Sequence, residues 1–159
     1  MRIEIVCIGK IKEEFYRGAV AEYSKRLTAF CDFSVVELPQ ERLPDNPGGR
    51  EIARALEREG RSILAKLRPG ARVVALCVEG GQLSSEEMAG TLMSWSVGGV
   101  SCVQFVIGSS FGLSGEVKSR ADLRLSMSRM TLPHQLCRVV LCEQIYRAMT
   151  INHGAKYHK

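Results

Sequence analysis

The sequence predicts an α/β fold built on a parallel sheet. Short apolar segments alternate with longer amphipathic segments along the chain, a pattern typical of strands joined by helical crossovers. The segment RVVALCV at 72–78 is apolar almost without alternation, as expected for a strand that helices cover on both faces. A chain of 159 residues is long enough to bury a complete core, so we predict a single domain over residues 1–159.

Five strands are predicted from short apolar runs that glycine, proline or polar residues bound. In chain order they cover Ile3–Ile8, Phe33–Leu38, Arg72–Val78, Ser101–Ile107 and Leu123–Met127. The stretch PQERLPDNPGG after the second strand holds three prolines and two glycines, which predicts a loop.

Five helical segments fill the intervals, and three of them have a start or stop signal. The Pro-Gly pair at 69–70 ends the second helix. Ser84 or Ser85 caps the third, whose first turn carries acidic residues that suit the helix dipole. Pro133 opens the last helix. The predicted helical segments are 12–29, 50–67, 84–97, a short turn at 113–121, and 134–152.

The composition excludes several classes of protein. The six cysteines lie mostly within apolar runs, with no CxxC pair and no histidine at metal-ligand spacing, which predicts buried thiols in a reducing compartment and no metal site. The N-terminus lacks the apolar and small-residue features of a signal peptide, and no run approaches about 18 apolar residues. We therefore expect a cytoplasmic protein that does not enter a membrane.

The positive charge is concentrated at the end of the chain. Residues 115–159 hold eight Lys and Arg against three acids, whereas the whole chain holds 22 against 17. By subtraction, residues 1–114 hold 14 of each sign, so the net charge of +5 belongs to the last 45 residues. This distribution indicates a polyanionic partner for the C-terminal part.

Three loops that follow predicted strands are candidates for a ligand pocket. They are Gly108–Gly115, Glu79–Gln82 and Ser128–Pro133. Ligands bind beyond the carboxyl ends of parallel strands, and glycine lets the backbone approach them. The chain has neither G-x-G-x-x-G nor G-x-x-x-x-G-K-[ST], so neither a dinucleotide fold nor a P-loop is indicated. Tight strand-to-helix turns that bind no ligand would explain the glycines equally well.

Polar residues of the last helix and the C-terminus are further candidates, each with a simpler explanation. A histidine in a first helical turn, such as His134, is more often structural than catalytic. Glu143 and Arg147 have the four-residue spacing of a helical ion pair. The ending AKYHK suits either a disordered tail or a site that stacks a base and neutralises phosphate.

Three segments together resemble a known family: FVIGSSFGLSGEV at 105–117, LRLSMSRMTLPHQLCRVVLCEQIYRA at 123–148, and the terminal YHK. They are similar to the ribosomal large-subunit methyltransferase H family of the SPOUT class, and the resemblance covers the whole chain. It implies an α/β-knot with a deep C-terminal trefoil knot, with the knot and the cofactor site in about residues 72–159. It also implies a homodimer that transfers a methyl group from S-adenosylmethionine to N3 of a pseudouridine, position 1915 of 23S rRNA, on the ribosome.

The resemblance carries the cofactor positions over onto this chain. They are Leu76, Gly108, Met127, Ser128, Arg129, Met130, Thr131 and Leu132. Three positions depart from the family pattern. Ser109 stands where the family usually has a second glycine, Cys77 where it usually has an acid, and Gly80-Gly81 where it usually has Gly-Lys.

Methylation of a ring N3 requires removal of its proton and stabilisation of the resulting anion. Histidine titrates near neutral pH, so we predict that His158 accepts the proton. Tyr157 is predicted to stack on the extruded nucleobase, and Arg147 to hold the resulting anion or the flanking phosphates. Cationic and polar side chains that flank them are predicted to contact the RNA. These are Arg138, Glu143, Lys156 and Lys159.

The apolar pattern of the last helix also predicts a homodimer, independently of the family resemblance. Its apolar positions, Leu136, Cys137, Val140, Leu141, Cys142, Ile145, Ala148, Met149 and Ile151, spread over more than the single stripe that covers a sheet. Two other functions remain open from sequence: a non-catalytic RNA- or ribosome-binding module that uses the same basic surface, and a SPOUT enzyme that methylates a ribose 2′-oxygen.

Overall fold

A computed structural model describes residues 1–158 and confirms the predicted α/β fold. The strands are β1 (Arg2–Ile8), β2 (Asp32–Leu38), β3 (Arg72–Gly81), β4 (Cys102–Ile107) and β5 (Leu123–Leu125). The helices are α1 (Glu14–Leu27), α2 (Gly49–Leu64), α3 (Ser85–Val97), α4 (Gly115–Arg120) and α5 (His134–Asn152). The five strands form one parallel sheet in the order β2-β1-β4-β3-β5. Strand order does not test the trefoil knot, which stays a prediction.

All ten predicted elements are present, and the differences lie at their ends. Helix α1 begins at Glu14, two residues later than predicted. The chain before it is extended, with a ψ of 126° at Glu13, and is bonded to other elements: Ile11 donates to the Glu37 carboxylate at 3.2 Å and Lys12 to the Gln135 side chain at 3.4 Å. The first residues after β1 are thereby bound to β2 and α5 instead of starting a helical turn.

Alternate residues of the central strands supply two separate apolar clusters. Ile5 of β1 belongs to the cluster on the face covered by α1, α3 and α5, whereas its neighbour Val6 belongs to the cluster under α2 and α4. Every residue of β4 is buried. The sheet is therefore covered on both faces, as the unbroken apolar pattern predicts.

Strand β3 leaves the sheet before it ends. Its pairing with β5 is regular up to Leu76 and resumes only at Gly81, so residues 77–80 bulge out of the ladder. Gly80 lies against β5, where a Cβ atom would come within 2.6 Å of the Leu125 carbonyl carbon. Only glycine fits there. The bulge turns residues 77–79 toward the carboxyl edge of the sheet.

The structure contradicts the prediction that Arg138 contacts the substrate. Its side chain is fully buried, with Nη1 donating to Glu37 at 2.6 Å and Nη2 to the Gly9 carbonyl at 3.0 Å. Cys7 and Cys142 beside it are also buried, and this burial raises the pKa of both thiols to about 12. Arg138 instead joins α5 to the carboxyl ends of β1 and β2.

The wide apolar surface of α5 has an explanation within one chain. This helix lies between α1 and α3 and packs on both as well as on the sheet. Seven of the nine apolar residues noted above belong to or pack against that cluster, and only Leu136 and Val140 do not. The breadth of the apolar surface is therefore a weaker argument for a homodimer than the sequence indicates.

Removing the charged partner of the buried Arg138 guanidinium, the partly exposed Glu37, should destabilise the fold. We expect Glu37→Gln to lower the free energy of unfolding by about 2 kcal/mol or more, because it leaves the Arg138 charge buried with a neutral partner. Asp32→Asn, which breaks the exposed pair with Arg2, is the matched control and should cost less than about 1 kcal/mol. Urea unfolding at one fixed protein concentration measures both. Equal losses would contradict a special role for the pair between buried Arg138 and Glu37.

Candidate functional site

The carboxyl edge of the sheet holds a pocket that three chain segments form together. The segments are the β3 bulge, the glycine turn after β4, and the connection from β5 to α5. Helix α5 closes it with His134 and Cys137 of its first turn. The cavity measures about 690 Å³, within the range of about 300–1,000 Å³ typical of small-molecule sites.

The pocket contains seven of the eight cofactor positions predicted from the sequence. These are Leu76, Gly108, Met127, Ser128, Met130, Thr131 and Leu132. Arg129 is exposed and is not part of the lining. Residues from three separate strand ends thus come together where the resemblance predicts, and the contact of Arg129 with a cofactor stays a prediction.

The glycine turn has backbone geometry that excludes larger residues. The Gly112 N–H donates to the Ser109 carbonyl at 2.9 Å, and Gly112 has a φ of +89°. A Cβ atom on Gly108 would overlap the Gly112 carbonyl. The turn therefore closes on itself against the end of β4, and its peptide groups form one wall of the pocket.

Ser109, a departure from the family pattern, is held from behind the pocket. Its hydroxyl donates to the buried Glu59 carboxylate of α2 at 2.8 Å. The other oxygen of Glu59 accepts from the Glu41 N–H at 3.0 Å. The serine therefore ties the glycine turn to α2 and to the loop after β2.

The polar groups of the pocket include charges of both signs and a histidine with a lowered pKa. Lys118 of α4 pairs with Glu79 of the β3 bulge, and this hydrogen bond lowers the pKa of Glu79. Desolvation and the nearby Arg138 charge lower the pKa of His134, with Glu13 acting in the opposite direction. Its imidazole is therefore neutral at neutral pH. Desolvation, with Glu79 adding, raises the pKa of the Cys77 thiol, which stays protonated.

The rim of the pocket is unusually apolar for an exposed surface. Val78, Phe111 and Met130 line the opening and are 80%, 44% and 78% exposed. Phe111 lies in the loop Gly108–Gly115 selected from the sequence, whereas Val78 and Lys118 were not selected, since their approach depends on the β3 bulge and on α4. An exposed apolar rim indicates a surface that another molecule covers.

The predicted catalytic residues Arg147 and Tyr157 form a second site around Glu143. Arg147 donates to Glu143 through Nε at 3.0 Å and Nη2 at 2.7 Å, so the ion pair that the four-residue spacing predicts is present. The Tyr157 hydroxyl donates to the same carboxylate at 3.2 Å, and its ring lies 4.8 Å from the Arg147 guanidinium and from the Tyr146 ring. Desolvation, with Tyr23 and Glu143 adding, raises the pKa of Tyr157 to about 12. It is protonated at neutral pH.

The C-terminal segment is folded back on α5 rather than extended. Gly154 has a φ of +66° and ends the helix, and the Ala155 N–H donates to the Thr150 carbonyl at 2.9 Å. His158 Nε2 lies 2.6 Å from Glu86 Oε1, and Nδ1 lies 3.3 Å from Arg147 Nη1. Because Arg147 only donates, Nδ1 accepts and Nε2 carries the proton. Both ring nitrogens of His158 are engaged in this arrangement.

Within one chain, the pocket and this second site are separate. Arg147 lies 13 residues beyond His134 on α5, about 20 Å along the helix axis at about 1.5 Å per residue. None of Glu143, Arg147, Tyr157 and His158 lines the pocket. Lys156 is exposed beside them, and the predicted contact Lys159 lies outside the described residues.

The described residues show neither a metal site nor a membrane span. Across 1–158, no three His, Cys, Asp or Glu side chains come together in a way that could hold a metal ion. None of the helices in that range combines the length and the apolar character that a membrane crossing requires.

Comparison with known proteins agrees with the geometry. A solved structure, that of a probable methylase family protein from Haemophilus influenzae Rd KW20, superimposes with a TM-score of 0.55 over 99% of this chain and 70% of that chain. The two sequences are 13% identical, so this likeness concerns the fold alone.

Sequence comparison is more specific. Proteins called ribosomal RNA large subunit methyltransferase H from Bifidobacterium animalis subsp. lactis and Clostridioides difficile are 50% and 47% identical to this chain, each over 100% of both chains. The family described as "Predicted SPOUT methyltransferase" matches residues 1–158. The chain therefore belongs to the SPOUT methyltransferase family, whose members use a methyl-donor cofactor, and within it to the group of the large-subunit methyltransferase H proteins.

Proposed function

We propose that this protein transfers a methyl group from S-adenosylmethionine to N3 of a pseudouridine in large-subunit rRNA, position 1915 of 23S rRNA, on the cytoplasmic ribosome. The observation that carries the proposal is the pocket itself, because seven cofactor positions from three distant segments line one cavity of suitable size. The names of relatives about 50% identical over their full length supply the substrate.

The residues of the pocket fit this cofactor. S-adenosylmethionine combines an aromatic base, a ribose, a sulfonium and an amino-acid end, so it needs apolar walls, hydrogen-bonding groups and charges of both signs. Leu76 and Met127 supply apolar wall, the turn after β4 supplies peptide groups, and the Glu79–Lys118 pair supplies both charges. The cofactor provides the electrophilic methyl group, and the protein orients the two reactants.

The second site suits the acceptor nucleotide. A pyrimidine imide becomes nucleophilic at N3 as its proton leaves, and cations stabilise the resulting anion. Arg147 and Lys156 supply the cations. The Tyr157 ring can stack on the acceptor base once the substrate displaces the Arg147 guanidinium, which lies over that ring. For His158 to accept the substrate proton at Nδ1, the substrate must displace Arg147 from that nitrogen.

A homodimer would bring the two sites together. In an antiparallel pair of α5 helices with a two-fold axis near Val140, the partner's Arg147 is level with His134 of this chain, since the two positions are equally distant from residue 140 or 141. Each active site would then combine the pocket of one subunit with the C-terminal site of the other. The distance of about 20 Å within one chain would no longer separate cofactor and acceptor.

The surface around the first turns of α1 and α5 supports this arrangement. Phe15 is 69% exposed, and the hydrogen bond between Lys12 and Gln135 shows that the beginning of α1 lies beside α5. Leu136 and Val140 are half-buried and belong to neither apolar cluster. This α1–α5 patch is the apolar surface that the partner would cover.

Methyl transfer to ribosomes tests the function directly. Ribosomes from a strain without the modification are incubated with the protein and methyl-labelled S-adenosylmethionine, and the label is mapped. We expect it on N3 of the pseudouridine. Label on a ribose 2′-oxygen would favour the other kind of SPOUT enzyme. Ribosome binding without cofactor binding or transfer would favour a non-catalytic module and contradict the proposal.

The cofactor pocket is tested by closing the glycine turn. Gly108→Ala adds a Cβ that overlaps the Gly112 carbonyl, so we expect the affinity for S-adenosylmethionine to fall at least tenfold. Gly115→Ala is the matched control, because a Cβ at that position meets no atom within 4 Å. Calorimetry measures the affinity and circular dichroism the fold. Unchanged affinity in a folded Gly108→Ala protein would place the cofactor elsewhere.

The shared active site is tested by mixing two inactive variants. One lacks residues 155–159 and the other carries Gly108→Ala. If the tail acts on the partner's pocket, subunit exchange restores one complete site in each mixed dimer, about a quarter of all sites at random pairing. Each variant mixed with itself is the control. No recovery after exchange, full activity of the truncated protein, or sedimentation as a single 17.6 kDa species would contradict this arrangement.

A further inference from the structure

The N-terminal half of α2 projects beyond the carboxyl edge of the sheet. Glu59 lies at that edge, since it binds Ser109 after β4 and Glu41 after β2. Farther along, the Lys66 carbonyl accepts from Gln104 in the middle of β4, so the helix runs from the edge inward. The nine residues from Arg50 to Arg58 therefore lie beyond this edge, over about 13 Å of helix at about 1.5 Å per residue.

This projecting half carries arginines on one side. Arg50, Arg54, Arg58 and Arg61 follow the three- and four-residue spacing that places side chains on a common helical face, and all four are exposed. We refer to them as the arginine stripe. Across a groove of about 250 Å³, the loop after β2 adds Arg42.

The acids of the same region are largely engaged elsewhere. Glu51 accepts from the Gly48 N–H at 2.8 Å and caps α2, Glu59 is buried, and Glu41 pairs with Arg58 at 3.2 Å. Glu57 is the exposed acid within the stripe, and Glu51 and Asp45 are exposed beside it. Within residues 1–158, Arg42, Arg50, Arg54 and Arg61 form no ion pair.

We propose that the arginine stripe and Arg42 bind the phosphodiester backbone of the rRNA substrate beside the cofactor pocket. This inference rests on the proposed function, because it names a second contact surface for the same RNA. The guanidinium group suits phosphate, to which it donates two parallel hydrogen bonds. Phosphate contacts position a protein on nucleic acid without reading its sequence.

The position of the stripe supports this role. Ser109 lines the pocket and is bonded to Glu59, so the projecting helix stands directly behind the glycine turn. Helix α2 packs on the face of the sheet opposite to α1 and α5. A dimer formed through the α1–α5 patch therefore leaves the stripe open to RNA.

The test compares two variants that each remove three positive charges. The first is Arg42→Gln/Arg50→Gln/Arg54→Gln. The control, Lys25→Gln/Lys66→Gln/Arg120→Gln, changes exposed cations toward the opposite edge of the sheet. Binding to ribosomes that lack the modification is measured at several salt concentrations. We expect the first variant to bind at least tenfold more weakly at about 0.1 M salt, with a log–log salt slope smaller by about 2.

Two further measurements separate the possible explanations. S-adenosylmethionine affinity should stay within about twofold of the wild type, and an equal loss of both affinities would assign the arginines a structural role and overturn the proposal. Glu57→Gln should tighten ribosome binding by about two- to threefold, because it removes the acid within the stripe. If the wild-type protein binds ribosomes and the first triple variant binds them as tightly as the control variant does, the proposed RNA-binding surface is wrong. That result leaves the proposed function intact. A wild-type protein that neither binds nor methylates ribosomes would refute the proposed function.

Discussion

The buried guanidinium of Arg138 is the interaction on which the geometry of the site depends. It joins the first turns of α5 to the carboxyl ends of β1 and β2 through Glu37 and the Gly9 carbonyl. A buried charge is tolerated only where its partners are held in place, so this link admits little displacement of the helix. His134, one turn earlier, and the adjacent Cys137 lie on the pocket wall, so the same link fixes their position.

Parallel strands explain why the rest of the pocket forms at this edge. All five strands point the same way, so the segments after β3, β4 and β5 meet at one side of the sheet. Two close backbone approaches then shape the cavity. Gly80 lets β5 lie against the β3 bulge, and Gly108 lets the following turn fold back on itself. In both places a side chain would occupy space that backbone atoms already fill.

Sequence patterns were sufficient for the elements and for most of the cofactor positions, because hydrophobic period and turn residues are local signals. They failed where the outcome depends on packing between distant segments. Arg138 has the composition of an RNA contact, but whether an arginine is buried is decided by Glu37, about 100 residues earlier. The apolar breadth of α5 likewise has two explanations, a second subunit or two neighbouring helices, and only the observed contacts with α1 and α3 distinguish them.

The distribution of charge is a second property that the sequence alone does not reveal, because here the sequence missed a candidate RNA-binding surface. Counted along the chain, residues 1–114 are neutral, and the C-terminal part alone indicates a polyanionic partner. Folding redistributes the balanced charges, because the Glu59 carboxylate is buried against the Ser109 hydroxyl while the arginines beside it stay exposed. Net charge is therefore a poor guide to the surface that a nucleic acid meets. The arrangement of side chains on the folded surface, rather than the charge counted along a segment, determines where cations face a nucleic acid.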